Sequence, residues 1–262
     1  MTVVFDAVAT FQSSSVGATS GTLTSMTVGS GSNRFLVAGA IFFTAISGLT
    51  AVWDAVGANQ AMTLIGSVTS GTVTTYLFGL VNPVSGNKNV TFSWTTSNAN
   101  RGFFAHSWNG VNQSTPTYNF NTSTGTGTAL SVTVTSVLTG DVVIGNLCIA
   151  AGLGVLSSVS DTQLYLAGSF GAGGNWANGA GANYTLTAVR SVSGAWEALG
   201  VAIGQAAAAA PVQRSPFANQ TPMVMLCPNF AKSIERATSR SIIGTVRGCG
   251  GHARLAHISS LR

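Results

Sequence analysis

Strict alternation of apolar and hydroxyl-bearing residues is the feature that most narrows what this chain can become. In NVTFSWTTS, Val90, Phe92 and Trp94 fall on one side of an extended backbone and Thr91, Ser93 and Thr95 on the other. That is the pattern of a strand with one buried and one wet face. SVTVTSV repeats it with Val132 and Val134. RFLVAGAIFF, TVTTYLFGLV and DVVIGNLCIA are apolar on both sides, as expected of central strands in a two-layer core. Further strands are expected over roughly residues 3–11, 21–28, 61–68, 102–108, 183–190 and 195–203. Turn formers separate them, among them Asn82-Pro83, Ser85-Gly86-Asn87, Asn109-Gly110 and Thr139-Gly140-Asp141. No stretch before residue 205 repeats apolar residues at helical spacing over the length of a helix. The expectation is an all-β fold, an antiparallel two-sheet β-sandwich of jelly-roll type, followed by an irregular basic C-terminal extension. The absence of a strict internal repeat argues against a propeller or solenoid.

Charge divides the chain in two. Only 6% of the 262 residues are Asp, Glu, Lys or Arg, against about a quarter in an ordinary soluble protein. Residues 1–205 hold Arg34, Lys88, Arg101 and Arg190 against Asp6, Asp54, Asp141, Asp161 and Glu197, a net of −1. Residues 206–262 hold seven cations and one acid, a net of +6. The expected domains are therefore a sandwich over 1–205 and, over 206–262, an Ala-rich linker with a flexible basic tail. A short helix over NFAKSIERATSRSII, capped by Asn229, is the one element expected in the tail. No basic patch in the main domain suggests nucleic acid; only the tail has the charge for it. Three cysteines, Cys148, Cys227 and Cys249, cannot pair completely, and Cys148 reads as a small buried apolar residue. MTVVFDAVATFQ lacks the basic and continuous apolar regions of a classical signal peptide. No apolar run is long enough for a membrane-spanning helix.

The order of these segments resembles a module found in bacterial secreted and cell-surface proteins and in phages. The resemblance rests on Gly110-Val111, Gln113 and Pro116 at a strand-ending corner, on Leu80-Val81 and Pro83 in a hairpin, and on Trp196 with Val201 to Ile203 in a closing strand. It spans residues 1–205. It implies a lectin-like sandwich serving as an accessory, adhesive or virion-surface module, with no catalytic residues to carry over. Its partners would be copies of itself or other virion or surface proteins, and its location a virion or the cell surface. A virion protein released by lysis needs no export signal.

The residues themselves offer little to an enzyme. The main domain has one histidine, and His106 shares a strand face with Phe104 and Trp108, which reads as a satisfied core histidine. Glu197 with an aspartate is the single acid pair that would suit glycosidase chemistry. No CxxC, HExxH or D-x-D-x-D run is present, so no metal site and no cofactor is expected, and calcium at Asp54 or Asp161 has nothing to recommend it. Glycine clusters such as GAGGNWANGAG, without a following Lys-Ser/Thr, read as loops. Trp94, Trp108 and Trp196 sit among apolar same-face neighbours and Trp53 near a strand end, whereas Trp176 is surrounded by Gly and Asn. Two readings of Trp176 stand side by side: an exposed platform for a sugar ring, assisted by Asn175 and Asn178, or a plug at one end of the sandwich. WNGVNQSTP reads as a structural corner, with Asn109 and Gln113 as the minority candidates for a ligand.

Overall fold

The computed structural model describes residues 2–54, 59–98, 100–150, 155–168 and 170–207, and the backbone of 247–248 and 251–252. The chain divides into two compact units, Met1–Ala209 and Ala210–Arg262. In the second, Arg247–Gly248 pairs antiparallel with Gly251–His252. The expected tail helix and Cys227 and Cys249 lie outside the described residues. Among the described residues no helix is long and apolar enough to cross a membrane.

The first unit is all-β. Its first half contains β1 (Val4–Val8), β2 (Gln12–Ser14), β3 (Ala18–Val28), β4 (Phe35–Phe42), β5 (Thr50–Trp53), β6 (Gln60–Ala61), β7 (Thr63–Ser70), β8 (Val73–Val81), β9 (Gly86–Asn98) and β10 (Arg101–Asn109). One sheet has the order β1-β10-β4-β8-β7, with β2 also on β10; a second has the order β3-β9-β5-β6. Setting β2 and β7 aside, the remaining eight strands read 1-8-3-6 in one sheet and 2-7-4-5 in the other. That is jelly-roll connectivity, the antiparallel arrangement expected from the alternation.

A third sheet is added to the expected pair. It is built from β11 (Thr117–Val137), β12 (Val142–Ile149), β13 (Leu156–Val159), β14 (Thr162–Ala167), β15 (Ala172–Asn178) and β16 (Ala182–Ile203), in the order β11-β16-β12-β15-β14 with β13 on β16. The first sheet lies between the other two. Leu36, Ala38, Ala40 and Phe42 of β4 pack with Leu23, Trp53, Phe92 and Trp94 of the second sheet. Phe35, Val37 and Ile41, on the opposite face of the same strand, pack with Ile144, Leu199 and Val201 of the third. β4 is buried at every position for this reason.

β11 and β16 are far longer than an average strand because they form one ribbon that bends back on itself. Thr117 to Gly127 pairs with Ile203 to Gly194, and Ala129 to Val137 pairs with Val189 to Ala182. The ladder slips at Gly127, whose φ of +133° suits glycine alone. Beyond the bend Leu130, Val132, Val134 and Leu186 cover Val143, Leu147 and Ala198. The two strands expected over 183–190 and 195–203 are thus a single strand, and Arg190, buried at the bend, donates from Nη1 to the Ala195 carbonyl at 2.9 Å.

Glycines make room for rings across neighbouring strands. Gly39 stands opposite Phe104, and a methyl group built on Gly39 would lie 1.9 Å from Phe104 Cζ. Gly173 and Gly174 of β15 lie under Leu156, Val159 and Tyr165 in the same manner. Residues 172–178, expected as loop from their glycine content, are a strand for that reason. Substituting Gly39→Ala in this fully enclosed site is expected to cost about 1 to 3 kcal/mol by overpacking. A denaturation midpoint equal to that of the wild type would show that the Phe104 ring has somewhere to go.

Candidate functional site

The corner after β10 is built by local hydrogen bonds. Gly110, at φ +74°, lets the chain turn where a Cβ would lie 2.4 Å from the Thr2 carbonyl oxygen. Val111 is buried and bridges Gln205. Asn112 Oδ1 accepts from the backbone of Ser114 at 2.9 Å and Thr115 at 3.1 Å, an Asx turn. Gln113 Nε2 donates to the carbonyls of Val111 at 2.9 Å and Arg34 at 3.2 Å.

This corner forms one wall of a groove of about 660 Å³, within the range of small-ligand sites. Phe35, Leu64, Ile65, Val81 and Phe120 supply its apolar surface, together with Gln113, Tyr118 and Asn119, and among the described residues no charged one lines it. Gln113 Oε1 is buried there without a hydrogen-bond partner among the described residues. The sequence reading found Gln113 but missed Leu64, Val81 and Phe120. Residues so far apart in the chain meet only through the stacking of β7 and β8 with the start of β11.

The residues expected around Trp176 do not form a loop. Trp176 and Asn175 lie within β15, opposite Ile144 and Gly145. The Trp176 ring is half-buried, stacked on Phe5 at 6.2 Å and edge-on to Trp108 at 5.3 Å, so it closes the space between the first and third sheets. Asn175 is fully buried and its Nδ2 donates to the Ser160 carbonyl at 3.1 Å, so its amide is turned away from solvent. Asn178 is exposed at the end of the strand. Asn109, at the end of β10, is half-buried with Oδ1 enclosed. Asn109 and Gln113 share the corner, whereas Trp176, Asn175 and Asn178 belong to the opposite sheet.

The ionisable groups are dispersed. His106 is buried and its Nδ1 accepts from Trp108 Nε1 at 2.6 Å. Burial lowers its pKa to about 3, so the ring is neutral, as the apolar face predicted. Asp6 accepts from Ser107 Oγ and the Gly29 amide, Asp54 from Thr91 Oγ1, Asp141 from Tyr118 and the Gln205 amide, and Asp161 from Ser160 and Tyr184. Among the described residues no three His, Cys, Asp or Glu side chains gather as a metal site would require.

Like Asp141, Glu197 is buried. It reaches from β16 into the β7–β8 hairpin, where Oε1 accepts from Thr75 Oγ1 at 2.6 Å and Oε2 has no partner among the described residues. Burial raises its carboxyl pKa to about 8 against the lowering effect of hydrogen bonds from Thr75 and Ser70. The Glu197 carboxyl is held by the Thr75 hydroxyl, whereas Asp54, Asp141 and Asp161 accept from Thr91, Tyr118 and Tyr184 respectively. Burial and the Glu197 charge hold the Cys148 thiol well above its usual range, which removes the thiolate a nucleophile needs.

Comparisons with protein-family models, curated proteins and solved structures find no match.

Proposed function

We propose that this protein is a non-enzymatic structural or surface module, a component of a phage virion or cell-surface assembly, that acts by packing neutral β-faces against neighbouring subunits. The observation that carries the proposal is the hydroxyl-rich surface on both outer faces of the layered unit, on which the Asp54 carboxylate is already paired with Thr91 Oγ1. On the second sheet, Ser20, Ser93 and Thr50 lie in one row and Thr22 and Thr91 in the next. On the bent ribbon of the third sheet, Ser131 faces Thr187 and Thr133 faces Thr185, with the last two hydroxyls 2.8 Å apart. Rows of short neutral side chains cost little entropy to order and no charge desolvation to bury. In sedimentation velocity the protein is expected to associate as concentration rises, and Thr22→Lys or Thr185→Lys to shift it toward smaller species. A strict monomer at all concentrations would remove the proposal.

A carbohydrate-binding or adhesive surface around Trp176 is the alternative. In its favour, Trp176 is the one tryptophan that keeps a partly exposed ring while Trp53, Trp94, Trp108 and Trp196 are buried, and Asn178 beside it is exposed. Specific binding on a glycan array that disappears in Trp176→Ala would favour this reading over packing.

A further inference from the structure

We propose that β7 is an assembly edge that pairs antiparallel with β7 of a second copy, so that the first sheet continues through two chains; this rests on the packing reading above and names the surface and the partner. Among the described residues β7 ends its sheet and pairs with β8 alone. Its sequence, TLIGSVTS, contains no charge and no proline, the two devices that most simply blunt an exposed strand edge.

Other edges are covered by side-chain amides. Gln12 clasps β3, with Oε1 accepting from the Thr24 amide at 3.2 Å and Nε2 donating to Thr24 Oγ1 at 2.8 Å. Asn119 and Asn121 donate to the carbonyls of Thr135 and Thr133 along the bent β11, each at 2.7 Å. The edge strand β1 carries Asp6 at its centre, and the middle of β14 turns Leu164 and Tyr165 into the core. Along β7 from Thr63 to Val68, no such cover is present among the described residues.

The surroundings of β7 favour a second copy as its occupant. Leu64 is 51% exposed and Val81 38% exposed, and both border the uncharged groove of about 660 Å³. A protruding apolar side chain and an apolar recess thus lie on one patch, which is what a two-fold contact requires, because each copy must offer both halves. An axis at Ser67 would set Gly66–Val68 opposite their own counterparts and bring the two Ser67 side chains together, the bulge at Ile65 limiting how far the pairing extends toward Thr63. The uncharged groove accepts an uncharged strand without stranding a buried charge.

The test uses the full chain. Ser67 is exposed near the centre of β7, so Ser67→Cys, with Cys227 and Cys249 replaced by Ser, is expected to form a covalent dimer on mild oxidation. Thr24→Cys on the covered edge of β3, in the same background, is expected to form none. Ser67→Lys and Leu64→Glu are each expected to abolish the dimer in sedimentation velocity while leaving the unfolding midpoint close to that of the wild type. If the wild type associates but both variants associate equally well, this edge is not the interface, although packing by other faces stands. If the wild type is monomeric throughout, both the edge and the packing reading fall.

Discussion

Unfolding measured against pH is expected to give a flat-topped stability profile, highest between about pH 4.5 and 6.5 and falling on both sides, with one buried group responsible for each limb. His106 has its pKa lowered from 6.5 to about 3 by burial. The unfolded chain therefore binds a proton that the folded chain refuses, and the stability present above pH 6.5 is lost as pH falls toward 3. Glu197 behaves in the opposite sense, because burial raises its pKa from 4.5 to about 8. The folded chain keeps a proton that the unfolded chain has released, so stability is complete below pH 4.5 and is lost as pH rises to 8. Each slope is about 1.4 kcal/mol per pH unit. Where both act they cancel, which produces the plateau. Outside it a single group acts, and the loss is about 2 kcal/mol by pH 3 on one side and by pH 8 on the other.

The two limbs separate by substitution. Glu197→Gln keeps an acceptor for Thr75 Oγ1 and removes the titration, so stability is expected to stay level from pH 6.5 to 8. His106→Gln keeps an acceptor for Trp108 Nε1 and is expected to remove the acid limb. An alkaline limb that persists in Glu197→Gln would assign the loss to some other group and would show that the carboxyl is better solvated than its position between the sheets implies.

Trp108→Ala is expected to be the most damaging of the tryptophan substitutions. The ring is fully buried and meets Phe5 at 5.4 Å and Trp176 at 5.3 Å, both edge-on, so it joins β1 and β10 of the first sheet to β15 of the third. Removing it leaves a cavity between two sheets and deprives His106 Nδ1 of its donor. A loss of about 3 to 5 kcal/mol follows from the transfer and cavity contributions, seen as a fall of about 10 °C or more in Tm for a unit of this size. Trp176→Ala should cost less, because its ring already keeps part of its surface in water. Equal losses for the two would place the core of the cluster at Trp176 and contradict the burial difference.

Much of the fold was legible before any coordinates. Val90, Phe92 and Trp94 do lie together in one core, and Thr91, Ser93 and Thr95 do face away from it. His106 was correctly read as a core histidine from its neighbours. RFLVAGAIFF and DVVIGNLCIA carried a further message, since a strand apolar on both faces needs a layer on each side. Both β4 and β12 have that. The start of β11 and the whole of β15 escaped notice because Gly and Asn are poor strand signals, and their strand state is imposed by neighbours such as Tyr165 and Trp196 that lie over the glycines.

The candidate site was less legible than the fold. Gln113 could be picked out from its corner, but the groove beside it joins residues from β7, β8 and β11. Asn175 looked like a free amide and is a buried donor to Ser160. Glu197 looked like one acid among five and lies fully buried between sheets, 122 residues away in sequence from the Thr75 hydroxyl that binds it. The amino-acid order by itself determined the all-β antiparallel character and the inward face of each regular strand, because alternation acts over two residues and needs no partner. Only the tertiary structure decided the number of layers, the bend of the long ribbon, the uncovered edge at β7 and the raised pKa of Glu197. Those depend on which surfaces come to lie against one another across more than a hundred residues, and local periodicity carries no record of that.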